Sequence, residues 1–242
     1  MPLRFQFRGK SNLYGRLLLF VLFICITVLI SSESAFLLGD PVVGPKIGGT
    51  VFSLLLVGFL FYTVELLKVL GVTNPRFLNL IYIYAVGGVV GGVYIANPFV
   101  DVLSYPAKQV VYSFFHICNA TLYLVICRFI LQDIFRSEET HSDHIWGAIV
   151  VYFLIIIFFG DLFEIITLAR PGLLGQVYEI GWPNYIQCLM YSMNAISGID
   201  SVYPETHNLI KKLSVLESII GNLFLVVILG RLLSHPLRKR TR

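Results

Sequence analysis

The chain has 242 residues, of which 57% are hydrophobic and 13% charged, against a charged share of roughly 25% in soluble domains. A folded chain with so few charges cannot cover itself in water, so a soluble enzyme or binding domain is excluded and an all-α integral membrane protein is expected. The formal net charge of +4 then marks topology, and no nucleic-acid partner is implied.

Six apolar runs approach the ~20 residues that cross a bilayer as a helix: Leu17–Ser34, Ile47–Leu70, Phe77–Ala96, Gln109–Leu131, Ile145–Leu168 and Leu209–Leu233. The first run follows Arg16 but has no A-x-A-like site before Ser31, so a cleaved signal is not expected. In the second, Glu65 and Lys68 stand at i,i+3 and predict a local ion pair. The third carries Gly87, Gly88, Gly91 and Gly92, a small-xxx-small pattern that predicts close helix packing in lipid. The fourth holds His116 and Asn119 one turn apart, which at that depth should face the bundle and bond across it. In the fifth, Asp161 and Glu164 read as lying near an interface without partners.

With six spans, one side of the membrane holds Arg4, Arg8, Lys10, Arg16, Lys68, Arg76, Arg128, Arg136, Arg231, Arg238, Lys239, Arg240 and Arg242. The other keeps Lys46, Lys108, Arg170, Lys211 and Lys212. This bias predicts a multi-pass protein of the cell membrane with both termini cytoplasmic. The cysteines Cys25, Cys118, Cys127 and Cys188 all lie in apolar segments without CxxC spacing, so neither a disulfide framework nor a cysteine metal site is predicted. Asn119-Ala-Thr121 lies within a span and reads as an accidental glycosylation triplet.

The polar stretch from Arg136 to His144 divides the chain. Residues 1–136 form a four-helix block, and residues 137–242 form helix, short segment, helix. The segment Tyr185–Ile196 is apolar but too short to span, so it must re-enter where its backbone is buried in protein or lines water. Trp182-Pro183-Asn184 suits a helix start, since proline is tolerated in the first turn. Trp182 and Tyr185 read as interfacial anchors.

After that helix come Ile196-Ser197-Gly198-Ile199-Asp200-Ser201 and Val202-Tyr203-Pro204. A long apolar helix follows, with Glu217 one turn before Gly221. Anchored on Tyr203-Pro204, this stretch resembles the pore of the tetrameric potassium-channel superfamily, whose filter reads Thr-Val-Gly-Tyr-Gly-Asp. The whole chain is similar to six-helix, voltage-gated-like subunits in helix count. The resemblance implies a homotetramer with a re-entrant pore helix and a filter at Ile196, Ser197, Gly198, Ile199 and Asp200. Filter support would come from Glu217, Ser201 and Tyr203, with the Ser197 or Ser201 hydroxyls and filter N–H groups as partners for Glu217. Gly221 would match the hinge of the inner helix, with helix packing as the other reading. Phe224, Val227, Ile228 and Leu232 would supply an apolar constriction.

The departures decide the expected selectivity. Family filters replace an ion's water shell with backbone carbonyls, in a backbone that needs glycine at both positions. Here Ile196 stands for the first threonine, Ile199 for tyrosine and Asp200 for the second glycine. Four copies of Asp200 would either ring the outer mouth, where carboxylates select cations and suit calcium, or tie down a collapsed turn. The fourth run lacks arginine at every third position, so strong voltage gating is not expected. The expectation is a cation channel that is non-selective or divalent-permeable rather than strictly potassium-selective. It needs no cofactor; its ligands are permeant potassium, sodium or calcium, and its partners are its own copies and membrane lipids. The alternative is a non-conducting or accessory membrane protein that keeps the channel architecture. An enzyme is not expected: no HExxH, G-x-S-x-G or His/Cys cluster is present.

Overall fold

A computed structural model describes residues 7–32, 43–72, 74–95, 104–137, 142–199 and 205–234. Among them the chain is all-helical, with α1 (Phe7–Ser32), α2 (Val43–Val69), α3 (Pro75–Ile95), α4 (Tyr105–Arg136), α5 (Ser142–Ala169), α6 (Trp182–Ser197) and α7 (Asn208–Ser234). Four helices are long and apolar enough to cross a membrane: Ile47–Val69 in α2, Tyr105–Arg136 in α4, Asp143–Ala169 in α5 and Asn208–Arg231 in α7. The first and third predicted runs are helical where described. In α1 the apolar stretch is the shorter Tyr14–Ile30, because the helix begins in the polar Arg8–Arg16 segment.

Side by side along the bundle, α5 packs against α4, α1, α6 and α7, while α2 packs against α1 and α3. The short α6 touches α5, α7, α1 and α2. One hydrophobic core runs through all of it, from Tyr14 in α1 through Phe59, Ile81, Tyr123, Leu154 and Leu189 to Ile228 in α7. The two blocks drawn at residue 136 therefore share a core. Outside it, large apolar side chains such as Ile83, Val110 and Val226 stay uncovered, the surface expected of helices that meet lipid.

Polar ties fix the helices at several levels. Tyr14 donates to Asp133 Oδ2 at 3.0 Å, joining α1 to α4. Arg231, in the last turn of α7, donates to the Ser137 carbonyl at the α4–α5 connection. The predicted Glu65–Lys68 pair is present at 2.7 Å, and Tyr82 of α3 stands beside it. Among the described residues, nothing stands within 4 Å of where a Gly87 side chain would be, so no close packing is seen at this position.

Candidate functional site

The element that carries most of the sequence argument is α6. Its 16 residues reach about 24 Å at ~1.5 Å per residue, short of a hydrocarbon core roughly 30 Å thick. It is buried among longer helices over most of its length, with Tyr185, Ile186, Cys188, Leu189, Tyr191, Ser192 and Ile196 all covered. Pro183 stands in its first turn, where the missing N–H leaves no bond unmade. Gly181 precedes it at φ +117°, with the Tyr112 hydroxyl 2.8 Å from where a Cβ would sit.

Around that first turn lies a polar cluster within the apolar bundle. His116 Nδ1 is 3.0 Å from Asp161 Oδ1. On the other side of the ring, Nε2 is 3.0 Å from Glu164 Oε2, an ion-pair contact outside aligned hydrogen-bond geometry. Both acids are fully buried, 0% exposed. Asn184 of α6 donates to Thr167 Oγ1 at 3.0 Å and approaches Glu164 Oε1 at 3.5 Å. The Tyr185 ring stacks on the imidazole with centroids 5.1 Å apart. Three helices thus meet at one histidine. One turn along α4, Asn119 accepts a bond from Tyr84 of α3 at 2.7 Å, so both polar residues of the fourth run bond across the bundle as their depth predicts.

The reading of Asp161 and Glu164 as residues without partners is corrected. They sit roughly one and a half to two turns before the end of α5 and face His116, 45 positions before Asp161. Tyr185 is corrected likewise: it is 3% exposed and belongs to the core, because its ring stacks on His116 and meets Phe52 edge-on. The signal that could have found the cluster was the demand that an intramembrane acid have a partner, applied to two acids and the one mid-span histidine.

The other end of α6 differs from the family pattern. Ile196 and Ser197 are its last helical residues and not part of an extended filter. Gly198, at φ +68°, closes the helix: its N–H donates to the Ala195 carbonyl, and the Ile199 N–H reaches the Asn194 carbonyl. These two bonds form a Schellman cap, and glycine supplies the left-handed turn without steric cost. Ile199 is exposed just beyond the cap. The Asp200, Ser201 and Tyr203 assignments lie outside the described residues.

Supports reach α6 from both neighbours. Gly160 of α5 lets Leu189 approach, since a Cβ there would stand 2.8 Å from Leu189 Cδ1 and 3.3 Å from its Cα. Ser192 lies 2.7 Å from the Ile156 carbonyl of α5 and also bonds Glu217 Oε1 of α7. Glu217 therefore braces the body of α6 and not Ser197, whose hydroxyl donates to its own Met193 carbonyl at 2.6 Å. Glu217 Oε2 has no hydrogen-bond partner among the described residues. Gly221 meets the end of α6 directly: a Cβ there would fall 2.5 Å from Ile196 Cγ1. Its packing role is thus visible, within an uninterrupted α7.

The constriction residues of the sequence reading differ in exposure within this chain. Ile228 is 4% exposed in the chain's own core, and Phe224 stacks on Tyr152 of α5 at 6.3 Å. Val227 points away and is exposed; Leu232 lies in α7, and the placement of its side chain is outside the described residues. Positions 224, 227 and 228 stand at i, i+3 and i+4 and so share one side of α7, the first and last turned to the chain's own bundle and Val227 to its edge. No protein-family description, curated protein sequence or solved structure matches the chain.

Proposed function

We propose that the chain is one subunit of a homotetrameric cation channel with six membrane spans, a re-entrant pore helix at α6 and both termini cytoplasmic. The observation that carries this reading is the geometry of α6. A helix too short to span is buried among longer ones, closed by a left-handed glycine, and held from one side by Gly160 and Ile156 and from the other by Glu217 and Gly221. Broken backbone at membrane depth is tolerated only where protein or a water-filled path receives it, and the C-terminal end of such a helix favours a cation. The sequence after Gly198 lacks the potassium filter's threonine and second glycine, so permeation is non-selective or includes divalents. With Arg128 as the basic side chain of the fourth run and Lys108 just before it, strong voltage gating is not part of the proposal.

A second reading has its own observation. Helical Ile196 and Ser197 cannot present the extended row of carbonyls that a multi-ion filter uses, which favours a non-conducting or accessory protein that retains the architecture. Purified chain in planar bilayers under bi-ionic potassium, sodium and calcium separates the two. Cation current from a tetramer supports the channel; silence under every condition, anion selectivity, or a monomeric or dimeric particle supports the alternative. In a conducting tetramer, Asp200→Asn should shift calcium permeation or divalent block, and an unchanged reversal potential and block profile would remove the carboxylate ring.

A further inference from the structure

We infer that His116 is a positioning residue that couples α4 to the first turn of α6. Three contacts link α4 to the start of the short helix, two directly and the third through α5. The Tyr112 hydroxyl occupies the space left by Gly181, immediately before α6. One turn on, the His116 ring stacks on Tyr185 at 5.1 Å. The same ring faces Asp161 and Glu164 on opposite sides at 3.0 Å each, and Asn184 of α6 joins Glu164 and Thr167.

Charge makes this joint stiff. A carboxylate is acceptor-only, so the ring donates from Nδ1 to Asp161, while Nε2 stands against Glu164 in an ion-pair contact. Removing α4 from its seat would leave two acids buried in apolar surroundings, where an uncompensated charge is strongly disfavoured. A displacement of α4 therefore carries the α5 acids and the first turn of α6 with it. Asn119, which bonds Tyr84 of α3, and Tyr14, which bonds Asp133, hold contacts within the four-helix block. In a chain without regularly spaced arginines on the fourth helix, this joint gives α4 a route to α6 that needs no voltage.

The two tryptophans, Trp146 and Trp182, supply a local test. Trp182 opens α6, beside Tyr185 and Phe52. Trp146 lies on α5 15 positions before Asp161, roughly 22 Å along the helix. With Trp146→Phe as background, His116→Gln should move Trp182 emission to longer wavelength and increase its quenching by aqueous iodide. Asn119→Ala should leave both unchanged. In a Trp182→Phe background, the remaining Trp146 should not respond to His116→Gln. Unchanged Trp182 emission in His116→Gln, or an equal response from Trp146, overturns the proposal. If His116→Gln does not fold, His116→Gln with Glu164→Gln removes one buried cation and one buried anion together, and the same Trp182 reading decides.

The consequence for gating rests on the channel proposal and is read separately. In a conducting chain, His116→Gln should change the open fraction, and identical gating overturns the coupling. If the native chain carries no current, the channel reading fails while the tryptophan result stands by itself.

Discussion

Asp161 and Glu164 at one end of α6, and Glu217 toward the other, are equally buried acids held in opposite ways. The first pair faces a histidine, with a ring nitrogen against each carboxylate. Among the described residues Glu217 faces no cation, and its contact is the hydroxyl of Ser192. Partnering with a charge gathers three consecutive helices at one point, since α4 and α5 meet there and α6 is drawn in through Asn184 and Tyr185. Partnering with a hydroxyl joins α6 to the next helix in the chain. The difference teaches where electrostatics sets the fold and where shape does. Removing one member of a buried ion pair leaves the other charge stranded, whereas a hydrogen-bonded acid can be replaced by a neutral group of the same shape.

Breaking the charged site should have the largest effect. His116→Gln is expected to cost about 3–5 kcal/mol, measured by unfolding in mixed micelles with helix content as the signal. The double variant with Glu164→Gln should cost less than the sum of the two single changes, because the second removes the charge that the first stranded. Additive losses would mean that the two side chains do not interact, and the contrast with Glu217 would lose its basis.

The shape-determined site should yield less. Gly221→Ala would place a Cβ 2.5 Å from Ile196 Cγ1 and 2.8 Å from its Cδ1. The intruding contact is a flexible side chain, so Ile196 can turn aside, and overpacking of this kind costs about 1–3 kcal/mol. Ile196→Val in the same chain should recover part of that loss by withdrawing the terminal methyl. Measured by the same unfolding assay, a Gly221→Ala variant as stable as the native chain would show that α7 and the end of α6 do not touch.

How much of this was legible follows from the same distinction. The start of α6 was written locally: Pro183 in the first turn and an apolar run too short to span need no knowledge of the rest of the chain. Its end was written locally too, in Gly198, but alignment to a filter motif outweighed the simpler role of glycine as a helix cap, and Ile196 and Ser197 were assigned to a loop when they complete the helix. The His116 cluster could not be read from spacing, because its members lie on α4, α5 and α6 and meet only when the bundle closes. Depth was nevertheless available: acids inside an apolar run call for partners, and treating Asp161 and Glu164 as interfacial discarded that demand. Glu65 and Lys68, one turn apart on α2, were read correctly because both ends of the pair lie on one helix.

Glu217→Gln should have the smallest effect, and it sharpens the comparison most. Ser192 lies at hydrogen-bond distance from the Ile156 carbonyl as well as from Glu217, yet a serine hydroxyl has one proton to give. When that proton serves the Ile156 carbonyl, the group at position 217 must donate to Ser192, and a glutamine amide can do so. A charge at 217 is then not what holds α7 to α6. Glu217→Gln should therefore change stability by less than about 1 kcal/mol, while Glu217→Leu, which leaves the Ser192 hydroxyl without its second partner, should lose about 1–3 kcal/mol. Comparing the two variants in one unfolding assay separates charge from hydrogen bonding. If Glu217→Gln is as damaging as His116→Gln, the negative charge itself is needed, and the two acidic sites obey one rule instead of two.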